Sequence, residues 1–582
     1  MDNLKEIIYK LNNIILPALG ENSDMRQELI FENNKLSPLV RKDLLCDYQN
    51  ILNGFTPKIP PQKVSDRKTA AVYLQENKFA YAFCEYTRLS VQNPENIKYK
   101  KGMAVCLLQM KLYNLLLKYF IPIFAEHINE DDEMFELTAA TYFGLPEFYE
   151  KAIPLYEKLL NKYKNVNSDY ELRLLFLYEK VYQDKKLNIQ IKHAQNALLK
   201  SNKKNELSAI LANLYFRAGK IKECEEIFNK IMSDNPSYVI VAKYGEFLIK
   251  SGRIKEGCDK YRLRFNSPNY GYPKSLKPEK RWDGIKDISN STVIVCHEQG
   301  FGDDIMMSRY IPLLSNMAGK VIFITQNNLL PLFKSSGYEK YCALLSPEAN
   351  LAWKGISITA PIAVIFSEGN GLMQIPHDYH IPMFDLPYLM DESSARMTEA
   401  GGYLKADKEN IEKFREKYII KNDKLKVGFS YHGVDCKVTG LRHRDIPAAK
   451  FLPLFKMKGI DFYSFQADEH MKELDALPDN VKVYNIGKFF KDFEDTACAM
   501  SCMDLIITTD NVCLNLAGAL GIKTYGLFNV FPEFRWYKTE GDDVGWYKSV
   551  RPFRAKTFND WDNLILEVKE RILEDFPALE SY

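Results

Sequence analysis

The stretch "HEQGFGDDIMMSRYIPLL", residues 297–314, follows the apolar run "STVIVC" (291–296) and precedes Met317, so that Ile305, Arg309, Leu313 and Met317 recur at helical spacing. Strand, glycine turn and helix in that order are the opening of an α/β unit. The turn carries Gly300 and Gly302 but lacks the full G-x-G-x-x-G pattern and the P-loop lysine. It is therefore not laid out as a phosphate cradle. Acid at this place suits the start of the helix, where the dipole favours negative charge.

Working outward, the same alternation continues. "KVIFIT" (320–325) follows the first helix, and "LKVGFSYHG", "DFYSFQA", "VKVYNIG", "DLIITTD" and "KTYGLFNV" come later with helical segments between most of them. Strands alternating with helices predict parallel sheets covered on both faces, here two α/β domains over 285–410 and 411–582, the second closed by a C-terminal helix. Ligands of such sheets bind outside the carboxyl ends of the strands. The loops to inspect are accordingly "HEQGFGDD", "SYHGVDCKVTGLRHRD" and "TTDNVCLNLAGALG".

Toward the N-terminus the period changes. Residues 206–236, "ELSAILANLYFRAGKIKECEEIFNKIMSDNP", read as two amphipathic helices joined at Gly219 and stopped at Pro236. Leu211, Tyr215, Ile227, Phe228 and Ile231 supply buried faces, and Ala212, Ala218 and Gly219 permit close contact. The grammar recurs thirty-three residues on, at Gly252 and Tyr261, and earlier at Ala82, Tyr86, Leu89 and Pro94. This looks like a tetratricopeptide array over 61–265, preceded by a helical segment over 1–60 and followed by a Pro/Gly-rich linker over 266–284. A single helix pair cannot bury its apolar face, so stacked pairs form a solenoid whose groove suits a peptide or protein.

Composition narrows the function classes. The 78 basic and 76 acidic residues give a formal charge of +2, so no global field draws the chain to nucleic acid or an anionic membrane. No apolar run is long enough to span a bilayer. The eleven cysteines form no C-x-x-C pair, which points to reduced thiols and a cytoplasmic setting. Cys498 and Cys502, at i,i+4, read as core packing. His377 and His380 have no accompanying ligand cluster, so no metal is assigned.

The motifs "RWDG", "HEQGFGDDIMMSRYIPLL", "DYHIPMFDLPYL", "GYLKAD", "VGFSYHG", "RDIP", "DFEDTACAMSCMDLIITTDNVCLNLAGALG" and "WYKSVRPFR" occur in this order over residues 281–576. In that order the chain resembles bacterial tetratricopeptide proteins with a glycosyltransferase half. That half is similar to glycosyltransferase family 9, the heptosyltransferases, and more distantly to the O-linked N-acetylglucosamine transferases. The resemblance implies a GT-B fold of two Rossmann-like domains, a nucleotide-sugar donor on the C-terminal one, inversion at the anomeric carbon and no metal or other cofactor.

Sugar transfer needs a base near the acceptor and relief of charge on the departing diphosphate. Asp303 matches the aspartate proposed as general base in the heptosyltransferases, with N-capping of the following helix as its other reading. Asp304 and Glu298 are the reserve bases. Gln299, Gly300 and Gly302 complete the acceptor-side loop, the glycines letting the acceptor come close. Asp510 matches the aspartate beside the donor, or serves as an N-cap. The N–H groups of Asn511, Val512 and Cys513 are expected to face the diphosphate at a helix N-terminus. Arg442 and Arg444, flanking His443, supply the local cation, and Arg444 matches the family's phosphate-contacting basic residue. Gly433 is expected to admit the donor and Gln466 to hold base or ribose.

Two departures qualify the resemblance. Relatives often carry Asp-Thr with a histidine four residues after the threonine, whereas this chain has Asp510-Asn511 and Asn515; Tyr431 stands where a tryptophan is usual. The readings left open are a transferase acting on a protein or peptide, a transferase acting on a surface glycan, and a repeat scaffold whose transferase half has lost its chemistry.

Overall fold

The computed structural model describes residues 67–581 except 128–130, 164–167, 182–185, 201–203, 267–275, 299, 346–364, 367–372, 375, 391–401, 434–443, 531–532, 537–543 and 558. The expected N-terminal segment, Gln299 and Arg442 lie outside the described residues. The chain divides into two compact units between Leu207 and Ser208.

The first unit is built from helices, among them Phe79–Gln92, Ile97–Gln109, Asp132–Phe143, Tyr149–Lys162 and Ser168–Val181. Their starts are local: the Asn96 side chain accepts from the Lys98 N–H at 3.2 Å, and that of Asp131 from the Met134 N–H at 3.1 Å. The cores are aromatic and aliphatic, with Phe83, Leu107 and Phe124 fully buried in one cluster and Tyr156 in another. Gly102 is required because a Cβ there would stand 2.7 Å from the Tyr86 ring.

In the second unit the repeat pattern continues through the helices Ile221–Met232, Tyr238–Lys250 and Ile254–Tyr261. Gly219 and Gly252, one repeat apart, both adopt positive φ, 73° and 81°, at the turns between paired helices. That left-handed conformation is why glycine stands at each joint. Gly245 and Gly257 face each other where two helices cross, each placing its Cβ position 2.7 Å from the other's carbonyl.

Two parallel sheets follow. The first comprises β1 (Thr292–Cys296), β2 (Lys320–Ile324), β3 (Ala343–Leu345) and, after a two-stranded β4 (Ile365–Phe366) and β5 (Met373–Gln374) ribbon, β6 (Tyr379–Pro382), in the order β3-β2-β1-β6. The second contains β7 (Leu425–Ser430), β8 (Ile460–Ser464), β9 (Val483–Asn485), β10 (Leu505–Thr509), β11 (Thr524–Phe528) and β12 (Val550–Arg554), in the order β12-β11-β10-β7-β8-β9. Every pairing in both sheets is parallel. Read from β9, the second sheet runs 3-2-1-4-5-6, the doubly wound Rossmann order. The fold class expected from the sequence, a tetratricopeptide-like helical array followed by two Rossmann-like α/β domains, is the one observed.

In such sheets the connections diverge at one point, and a crevice opens there beyond the strand ends. In the first sheet this point lies between β1 and β6, and in the second between β7 and β10. His297, Glu298 and Gly300, the turn Met383–Asp385, residues 431–433 and residues 510–511 therefore lie at strand C-termini. No helix among the described residues is long and apolar enough to cross a membrane.

Candidate active site

The helix after β1 runs Phe301–Ser308, so it starts four residues before the expected Ile305 and takes both aspartates into its first turn. Adjacent residues on a helix point about 100° apart, and the two carboxylates have different partners. Asp304 is fully buried: one oxygen meets His297 Nδ1 at 2.7 Å and the other accepts from Thr325 Oγ1 at 2.7 Å. It ties the loop to β2. Asp303 turns the other way, accepting from the Gly300 N–H at 2.8 Å through Oδ2 and pairing with Arg535 Nε at 2.6 Å through Oδ1. Burial holds its carboxyl above the ordinary range, against the opposing pull of Arg535.

Glu298 is also committed to the framework. It forms a two-pronged pair with Arg264, at 2.7 and 2.6 Å, and both side chains are fully buried. Arg264 reaches Asp385 at 3.3 Å as well, and Arg281 holds the other oxygen of Asp385 at 2.6 Å. The last helical turn of the repeat region is thereby locked to both strand ends, β1 and β6, of the first sheet.

On the facing domain, Asn511 caps the helix Val512–Leu520, its Oδ1 accepting from the Cys513 N–H at 2.8 Å. Its Nδ2 donates to Ser430 Oγ at 3.0 Å and the His432 carbonyl at 3.3 Å, so one residue joins the ends of β7 and β10. The Cys513 N–H is thus satisfied within the helix start. Asn515 accepts from Tyr547 OH at 3.0 Å. Gln466 is enclosed by the β7 loop, accepting from the His432 N–H at 3.2 Å and donating to Asp468 at 2.8 Å. Gly433 admits a protein group: a Cβ there would lie 2.7 Å from the Arg444 guanidinium. The positive charge of Arg444 in turn stabilises the ionised form of Asp510.

Asp510 and Asp303 are linked by a segment the sequence reading did not single out, Glu533–Trp536. Trp536 Nε1 donates to Asp510 at 2.6 Å, Arg535 pairs with Asp303, and Glu533 pairs with Arg535 at 2.6 Å. The guanidinium of Arg535 sits over the rings of Phe384 and Phe534, at 5.1 and 4.7 Å to the centroids. Burial pushes the Asp510 carboxyl up to about 6, with Glu533 adding to the rise and Arg444, Trp536 and Arg535 opposing it. The available signal was position: "FPEFRWYK" (531–538) is separated by two residues from the carboxyl end of β11.

The two α/β domains touch where the first turn of the helix Phe301–Ser308 meets the helix Val512–Leu520. A Cβ on Gly302 would stand 2.7 Å from Asn515 Nδ2 and 3.7 Å from Val512 Cα. Gly302 therefore makes room for the opposing helix. Gly302→Leu is expected to push the helices apart and lower stability by about 1–3 kcal/mol, read as a lower urea midpoint.

Beside the β7 loop, His432, His470 and Glu473 bring their ligand atoms within 4.8 Å of one another, the described group that has metal-ligand character. The two imidazoles are stacked at 3.9 Å, with Glu473 at 2.7 Å from His432 Nε2.

No protein-family model matches the chain. Among curated proteins it is similar to Protein FlbA of Caulobacter vibrioides, 23% identical over 374 residues that cover 62% of this chain; the match spans about three-fifths (59%) of that relative's length. Among solved structures it is similar to a family 9 glycosyl transferase of Veillonella parvula, at 13% identity and TM-score 0.32, covering 50% of this chain and 99% of that one. An O-GlcNAc transferase variant of Thermobaculum terrenum aligns at 10% identity and TM-score 0.28 over 86% of this chain and 92% of its own. A thermophilic TPR protein of Thermus thermophilus aligns at 14% identity and TM-score 0.24, over 31% of this chain and 96% of its own.

Proposed function

We propose that the chain is a GT-B glycosyltransferase that moves a sugar from a nucleotide-sugar donor to an acceptor hydroxyl, with inversion, on a protein or peptide held by the helical repeats. The observation that carries this reading is the joining of Asp303 and Asp510, from the switch points of two facing sheets, through Arg535 and Trp536 of one short segment. It supports a base on one side and a diphosphate site on the other. Arg444 and Arg535 meet the charge of the leaving diphosphate, so the reading calls for neither a metal nor an organic cofactor. Asp303 accepts the acceptor's proton as the anomeric carbon is attacked.

The repeats bear on the acceptor. Glu246 and Lys250, on the helix Tyr238–Lys250, feel the charge of Glu533, and Glu246 that of Arg535 as well. Polar residues of the last repeat thus stand within electrostatic reach of the site, a placement that favours a polypeptide laid along the repeats over a lipid-borne glycan. A bacterial cytoplasmic setting belongs to the same proposal.

The testing experiment is a thermal-shift screen of the purified chain against common nucleotide sugars, followed by assay of nucleotide release. A donor that binds the native state raises the melting temperature. Absence of both binding and release from every donor would favour the scaffold reading, which draws on the structural engagement of Asn511 and Asn515.

Asp510 gives the proposal a pH signature. Its carboxyl is neutral below about pH 6 and ionised above it, so an anionic donor meets growing repulsion as pH rises through 6. Donor affinity is expected to fall roughly 3- to 10-fold from pH 5 to pH 7.5. In Asp510→Asn that fall should disappear, as measured by titration calorimetry at both pH values. The stability effect has the same sign. Because the folded value lies above the ordinary 3.8, the contribution of Asp510 is fully present below pH 3.8 and is lost as pH rises through 6.

A further inference from the structure

At the amino ends of β11 and β12, away from the cleft, the structure holds a cavity of about 410 Å³ lined by Lys523, Lys548, Ser549, Arg551, Arg571 and Asp575, with Tyr525 alongside. Among the described residues, four cations and a single carboxylate line this space. Asp575 is the organiser: Lys523 Nζ reaches it at 2.7 Å, Arg571 at 2.6 Å, and Tyr525 OH donates to it at 2.6 Å. These contacts hold its carboxyl down at about 2, overcoming the upward push of burial. It remains charged at any working pH and fixes two of the cations at the cavity wall. Glu574 takes one further arm of Arg571, at 2.9 Å.

Two donors are left over. Arg571 Nε and Ser549 Oγ are buried and have no hydrogen-bond partner among the described residues. A buried donor without a partner costs free energy, and here both belong to residues lining the same positively charged cavity. Fixed cations around unmet donors match the oxygens of a phosphate group, which accepts several hydrogen bonds and carries the complementary charge.

We propose that this cavity is a second anion site, which takes the phosphate group of a small phosphorylated molecule. It is separate from the transfer cleft. Lys523 precedes β11 and Lys548 and Ser549 precede β12, whereas Asp303, Asp510 and Arg535 gather at strand carboxyl ends. The five residues of β11 put roughly 15 Å between the two edges. A ligand here acts on the donor domain from behind, through strands whose far ends carry the cleft segment 533–536.

The test uses the full chain and inorganic pyrophosphate as probe, in a buffer free of phosphate and sulfate, with sodium chloride of equal ionic strength as control. Pyrophosphate at millimolar concentration is expected to raise the melting temperature by about 2 °C or more relative to the chloride control. In the doubly substituted Lys548→Glu/Arg551→Glu chain the rise should fall to a third or less. In Arg444→Ala/Arg535→Ala, which removes the cleft cations, a rise of at least half should persist. If the charge reversal unfolds the chain, Lys548→Gln/Arg551→Gln serves in its place. An undiminished rise in the cavity variants, its loss in the cleft variants, or no rise in the wild-type chain would each overturn the proposal.

Discussion

Replacing Arg264 by methionine is expected to destabilise the second unit by about 3–5 kcal/mol, the cost of leaving a buried charge without its partner. Arg264 is fully buried between Glu298 and Asp385, which are fully buried themselves. Asp385 keeps Arg281 at 2.6 Å, so the loss falls mainly on Glu298, whose carboxyl burial already pushes up. Without the guanidinium that carboxyl rises further and takes up a proton to remain inside. Since its folded value then lies well above the unfolded one, stability is retained at low pH and lost as pH rises through the folded value. Urea unfolding of Arg264→Met should therefore show a larger deficit at pH 8 than at pH 5. Adding Glu298→Gln should recover part of the deficit at pH 8 and remove its pH dependence. Equal deficits at the two pH values would mean that the loss comes from packing alone.

This ion network also marks where local reading of the sequence stops. Strands β1, β2, β7, β8, β10 and β11 were legible because a strand covered on both faces is a short apolar run with no competing period; β9, a half-buried edge strand, was legible from the alternation in "VKVYNIG". Strands β6 and β12 were not: β6 ends on Pro382, and β12 carries Pro552 in its middle. Both are edge strands, the place where a sheet tolerates a missing N–H. The repeat joints were legible because Gly219 and Gly252 answer a backbone demand that recurs at a fixed interval.

The site was legible as a set of loops and only partly as a set of side chains. Position at the strand ends identifies 297–304, 431–433 and 510–515, and the structure joins His432 to Asn511 and Gly302 to Val512 and Asn515. Which of two neighbouring aspartates faces the cleft is decided by helix phase and by His297 and Thr325, which claim Asp304. The exposed-looking Glu298 is claimed by Arg264, 34 residues before it. Arg535 and Trp536 escaped notice because no helix among the described residues separates β11 from β12, so the strand-helix pattern gives no cue there.

Asp303→Asn carries the largest expected effect on activity. Loss of a general base lowers turnover by about 10²–10⁴, and the structure supplies reasons for the remaining properties to survive. Asparagine keeps an oxygen for the Gly300 N–H, so the helix start is retained. Arg535 keeps Glu533 at 2.6 Å and its seat over Phe384 and Phe534. Donor affinity should accordingly stay within about threefold of wild type or tighten, since the guanidinium is no longer shared with a carboxylate. That sharing has a mechanistic use in the proposed reaction. As the donor diphosphate draws Arg535 toward itself, Asp303 loses its counter-ion and its proton affinity rises at the moment an acceptor hydroxyl must be deprotonated. Turnover in the wild-type chain should then climb as pH rises through the elevated value of Asp303, and the climb should be absent from the residual rate of Asp303→Asn. Arg535→Met should behave in the opposite manner, weakening donor binding by about 10- to 100-fold through loss of a charged contact. Wild-type turnover in Asp303→Asn would falsify the base assignment, and unchanged donor affinity in Arg535→Met would remove the link between the two domains on which the reaction scheme depends.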